Sequence, residues 1–158
     1  MASQDFLPIK INKLGFELGE LKNIIHVGAR YGEEIHTYVN DHKAENILLF
    51  EPSPIHLKNL CMYALVFKDF AKIKISNLAL SNFNGISNFT SFLGFSSGLS
   101  SLKQYNHEIM KDVFGQDPRH SDLQEGDAIQ FVVAVQKLDD YLMDTLEQTN
   151  AVINLLNI

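Results

Sequence analysis

The stretch Asn23–Glu34, NIIHVGARYGEE, places two glycines, Gly28 and Gly32, directly behind a short apolar run, and Glu51 closes a second apolar run, NILLF, further on. A strand that runs into a glycine turn and then a helix directs unpaired backbone N–H groups at whatever lies beyond the strand's carboxyl end, and small residues let a ligand approach the backbone there. An acid about twenty residues past such a turn, at the end of the next strand, can accept both ribose hydroxyl protons of a nucleoside. Each signal has a plain alternative: two glycines that only end a strand and start a helix, and a solvated surface acid. Their combination points to a nucleoside cradle.

The dinucleotide pattern G-x-G-x-x-G is absent, because Arg30 stands where its second glycine would be. A pyrophosphate meets a crowded approach, so a nucleoside without one fits better, S-adenosylmethionine ahead of NAD, with a mononucleotide still compatible. His26, one residue before the end of the first strand, is either part of that cradle or a satisfied core histidine.

Elsewhere the chemistry is thinner. His36 and His42 are not at the i, i+4 spacing that puts two ligands on one helix face, and no Cys/His cluster has zinc spacing, so no metal is expected. Asp139 and Asp140 are adjacent and point apart, which suits the start of a helix better than acid–base work. Ser96–Ser101 read as a turn, and His107 and His120 are candidate bases for a hydroxyl. Cys61, the single cysteine, sits in an apolar helical pattern and reads as core filler.

The elements that must hold these residues alternate. Asn23–Val27 and Ile47–Phe50 are β-branched or apolar runs too short for helices, which predicts strands buried on both faces. Glu33–His42 carries Ile35, Tyr38 and Val39 at helical spacing behind two acids. After Glu51, Ser53 is a good N-cap and Pro54 a good first residue for a helix running through IHLKNLCMYALVF. KIKISNLALS, from Lys72, predicts a third strand, GISNFTSF a further short strand or hairpin arm, and IQFVVAVQ another before a short helix and the apolar AVINLLNI. Strand–helix repetition of this kind predicts an α/β fold with a doubly wound, mainly parallel sheet. Residues 94–127, rich in Ser, Gly, Asp and His, are too long for a simple connection and read as a lid or substrate segment within a single domain spanning 1–158.

The formal charge of -6, with 46% hydrophobic and 20% charged residues, describes a globular chain with no general attraction for nucleic acid or anionic lipid. Met1 is followed by ASQDFLPIK, with no basic and apolar leader, and no run of eighteen apolar residues occurs, so a cytoplasmic protein is expected.

HVGARYGEE, FEPSP, NLALSNFNGISNFT, GLSSL, LDDYL and INLLNI, in that order, resemble the successive motifs of the FkbM family of S-adenosylmethionine-dependent methyltransferases, over roughly residues 23–158. The resemblance implies a class I methyltransferase fold and methylation of a hydroxyl oxygen on a sugar or small molecule. It implies Gly28, Ala29 and Gly32 beneath the methionine part of the cofactor, with His26 and Arg30 flanking, Glu51 and Pro52 at the ribose, and Ala79, Leu80 and Ser81 near the adenine. It also implies a substrate pocket at Ser96–Ser101, in which Ser100, Ser101 and His107 would face the acceptor. Two positions depart from the family's commoner form, which has Asp and Asn where this chain has His26 and Arg30; an aspartate would help hold the cofactor's ammonium. In the family the INLLNI strand runs into an acidic motif and further strands that this sequence lacks. The implied sheet is therefore incomplete, to be completed by a homodimer or a partner chain along the 151–158 edge, and the alternative function is a nucleoside-binding or interaction module without turnover.

Overall fold

The computed structural model describes residues 20–92, 100–102, 128–146 and 153–158. Short β-branched runs form the strands of a four-stranded sheet: β1 (Asn23–Val27), β2 (Asn46–Phe50), β3 (Lys72–Ser76) and, from the far end of the chain, β7 (Leu155–Asn157). Their order is β3-β2-β1-β7 and every pairing is parallel. A second sheet, ordered β4-β6-β5, joins β4 (Ala79–Leu80) parallel to β6 (Ala128–Gln136), and β6 antiparallel to β5 (Gly85–Phe92). The architecture is α/β with a mainly parallel sheet.

Among the described residues three helices accompany the strands: α1 (Ile35–Asn40), α2 (Pro54–Ala64) and α3 (Leu138–Leu146), with a 3-10 turn at Leu65–Phe67. Side chains alternate along each strand. Ile24, Ile47 and Leu49 therefore share one face, and they pack with Ile35, Tyr38, Val39, Leu60, Ala64 and Phe67 in one buried cluster, with Ile73, Ile75 and Leu155 at its margin. Phe50 faces the other way and meets the ring of Tyr141 in α3 edge-on, centroids 4.9 Å apart, so the sheet carries helices on both sides.

Several elements differ from expectation. The first helix begins at Ile35, leaving Glu33 and Glu34 ahead of it, and ends where Lys43 takes a left-handed φ of 56° and Ala44 N–H donates to the Tyr38 carbonyl at 2.9 Å. Ser53 precedes α2 as expected, but its hydroxyl shares a 2.8 Å hydrogen bond with the Ser91 hydroxyl and does not cap the helix. KIKISNLALS is not one strand: it breaks after Ser76, and its second half pairs in the other sheet. Cys61 is exposed and not core, because α2 buries the stripe His56, Leu60, Ala64 and Cys61 lies beside it. Asp139 and Asp140 do sit in the first turn of α3, where Asp140 accepts a hydrogen bond from the Asn84 side chain. The last strand is Leu155–Asn157, shorter than the AVINLLNI run.

Candidate functional site

The turn after β1 is built by three left-handed residues within five positions: Gly28 (φ 77°), Arg30 (φ 51°) and Gly32 (φ 81°). Arginine there is strained, and such conformations persist only where the surroundings fix them. The two glycines do different work. A Cβ on Gly28 would meet nothing within 4 Å, whereas one on Gly32 would lie 2.7 Å from both Ile35 Cδ1 and Leu60 Cδ1. Gly28 borders open space at the strand's end. Gly32 lets the turn sink into the core.

The expected unpaired N–H groups are largely spoken for. Gly28 and Ala29 N–H both donate to the Phe50 carbonyl at 2.9 and 3.0 Å, and Gly32 N–H to the Ala29 carbonyl at 2.7 Å. Arg30 N–H donates to Glu51 Oε2 at 2.7 Å. Donors left over at the end of a parallel strand turn back to the neighbouring strand when its acceptors lie within reach.

Glu51 is not a surface acid; it is 3% exposed. Its Oε1 accepts from Ser53 N–H at 2.8 Å and lies 3.5 Å from His56 Nδ1, while Oε2 holds the turn through Arg30. His56 is itself buried, its Nε2 without a partner and its ring edge-on to Tyr31 at 4.8 Å. The Asn77 side-chain amide, turned nitrogen-first, donates to the carbonyls of Glu51 and Pro52, both at 3.1 Å. That bond breaks the KIKISNLALS run and brings the chain leading to Ala79, Leu80 and Ser81 alongside the Glu51–Pro52 turn.

His26 lies on the same sheet face as Leu49, its partner in register. It is buried, and burial pushes its imidazole down to about 4 against the opposing pull of the Glu51 charge. The ring is therefore neutral near pH 7. Asn157 Nδ2 donates to the Tyr38 hydroxyl at 2.8 Å, and that hydroxyl lies 3.3 Å from His26 Nδ1. The Tyr38 hydroxyl thus links the last strand to the His26 ring through one oxygen. Burial raises the Tyr38 phenol above its ordinary range. The Glu34 carboxyl is likewise raised by burial, and its Oε2, 4.0 Å from His26 Nδ1, has no hydrogen-bond partner.

Sequence reasoning therefore brought together His26, Gly28, Ala29, Arg30, Gly32, Glu51 and Pro52. It gave no site role to Glu34, read as a first-turn acid, to Tyr38, read as a core position, or to His56 and Asn157, polar residues within apolar runs. Ala79 is buried in a second cluster with Phe89, Val133 and Val135. Ser100 and Ser101 lie against β5, Ser100 Oγ accepting from Phe92 N–H at 3.0 Å and Ser101 bridging Thr90, so they belong to the second sheet. His107, His120 and most of residues 94–127 lie outside the described residues. A groove of about 640 Å³ runs beside the turn, between Tyr31 and Glu33 on one wall and Asn59, Met62, Tyr63 and Val66 on the other. Among the described residues no three His, Cys, Asp or Glu side chains gather as metal ligands, and no helix is long and apolar enough to cross a membrane.

No family model, curated protein or solved structure matches the chain.

Proposed function

We propose that the chain binds S-adenosylmethionine at the turn between β1 and α1, and transfers its methyl group to a hydroxyl oxygen of a small molecule or glycan. The observation that carries this reading is the bond from Arg30 N–H to Glu51 Oε2, which locks an acid at the end of β2 against a glycine turn at the end of β1. The carboxyl ends of parallel strands are where α/β sheets take their ligands. The residues fit the group: the space over Gly28 is open, and an ionised carboxylate offers about four acceptor positions, of which two backbone N–H groups use two at Glu51. A ribose hydroxyl donating to this carboxylate would take one of the acceptor positions that Arg30 and Ser53 N–H leave over.

The cofactor supplies an electrophilic methyl on a sulfonium. The acceptor oxygen forms the new C–O bond, the C–S pair stays on sulfur as a thioether, and the hydroxyl proton leaves to solvent or a base. Alignment is what the protein contributes. A second reading, a nucleoside-binding module without turnover, draws support from the deep burial of Glu51 and the neutrality of His26.

Calorimetric titration with S-adenosylmethionine and S-adenosylhomocysteine, alongside labelled methyl transfer to a panel of hydroxylated acceptors, tests both readings. The enzyme reading expects binding and label in product, and the second expects binding alone. Failure of either ligand to bind at millimolar concentration refutes both.

A further inference from the structure

Glu34 has no part in the reading so far, yet it is the least satisfied acid of the turn. Its Oε2 is closed to solvent and accepts no hydrogen bond. Its own backbone N–H and the Arg30 charge both favour the ionised carboxyl, yet neither places a hydrogen bond on Oε2. His26 Nδ1, 4.0 Å away, is beyond hydrogen-bond distance and faces the Tyr38 hydroxyl at 3.3 Å. The Arg30 guanidinium is turned toward Glu33, 3.5 Å from its Oε1, and over the Tyr31 ring, 5.0 Å from its centroid. Glu51 is an acid engaged elsewhere.

A carboxylate oxygen removed from water without a donor costs stability that a neutral side chain would not cost. Here the cost falls 4.0 Å from the His26 ring, at the end of the turn whose Gly28 borders open space. We propose that Glu34 receives a protonated amine of the ligand held at this turn. The inference rests on the methyl-donor reading above, whose ligand carries an amino-acid end as well as a nucleoside. Glu51 would then serve the nucleoside and Glu34 the amine, in place of the acid that His26 does not provide. An ammonium gives Oε2 a charge-assisted hydrogen bond, the strong kind.

The test is the isosteric variant Glu34→Gln in the full chain. Wild type and variant are titrated by calorimetry at pH 7.5 with S-adenosylhomocysteine and with 5′-methylthioadenosine, which keeps the thioether nucleoside and lacks the amino-acid end. Wild type is expected to prefer S-adenosylhomocysteine. The variant is expected to lose at least tenfold of that affinity while binding methylthioadenosine within twofold of wild type, with an unfolding midpoint equal to or above wild type. Equal losses for both ligands, no loss for either, or a lowered midpoint would make Glu34 a structural residue and overturn the inference. Wild type that binds both ligands equally overturns it too and leaves nucleoside binding standing. Wild type that binds neither refutes the cofactor reading itself and the inference with it.

Discussion

Acidification should destabilise this protein through one buried ring. Folded His26 is held at about 4, against 6.5 for the ordinary imidazole. Above pH 6.5 the ring is neutral in both states and contributes no pH dependence. Between pH 6.5 and 4 the unfolded chain takes up a proton that the folded chain refuses, so stability falls as pH falls; below 4 both states are protonated and the loss levels off. At about 1.4 kcal/mol per pH unit, the gap gives a total loss of about 3 kcal/mol. Glu34 works the other way: its raised carboxyl binds a proton in the folded state before the unfolded one, adding stability as pH falls toward 4.5. Urea denaturation of wild type and His26→Gln at pH 7, 6, 5 and 4 isolates the ring's share, since glutamine keeps an acceptor for Tyr38 and does not titrate. Wild type should lose about 3 kcal/mol more than the variant across that range. Parallel stability curves, or a His26 ring resonance titrating near 6.5, would refute the reasoning.

Glu51→Ala removes the acceptor of two backbone N–H groups, at about 1–3 kcal/mol each where they stay unpaired; thermal denaturation should show the loss before any ligand is added, and an unchanged midpoint would contradict the brace. Gly32→Ala meets both left-handed strain and the Ile35 and Leu60 side chains and should cost about 2–5 kcal/mol, whereas Gly28→Ala carries only the strain, about 1–2 kcal/mol, and should weaken S-adenosylhomocysteine by filling open space; denaturation and calorimetry on the two variants check the contrast. Among the described residues β7 pairs only with β1 and exposes Leu156, so self-association along that edge is expected; light scattering over a concentration series measures it, and a monomer throughout rejects it.

What the sequence disclosed, and what it withheld, follows from the range of each interaction. Strands β1 and β2 and the start of α2 were legible because their causes are local: apolar runs too short for helices, and a proline that presets the first helical turn. The association of Gly28 with Glu51 was legible as a spacing, since adjacent parallel strands joined by one helix return to the same end of the sheet. The buried side of α2 was not. Its stripe carries His56 between the apolar positions, while Cys61, Met62 and Val66 lie off it and stay exposed, so hydrophobicity alone pointed the helix the wrong way. The break inside KIKISNLALS depends on Asn77 reaching the carbonyls of Glu51 and Pro52, a contact made only once β2 and β3 lie side by side.

The polar cluster around His26 has the longest reach. Asn157, 119 residues beyond Tyr38, donates to its hydroxyl, and that hydroxyl lies 3.3 Å from His26 Nδ1. A residue in the last strand thus reaches the buried ring of the first. Asn157→Leu should therefore act on the site and not only on the edge of the sheet. Without Asn157 Nδ2 the buried Tyr38 hydroxyl loses a donor and keeps the His26 ring beside it, so the His26 ring resonance should shift in the variant, and an unmoved resonance would reject the coupling.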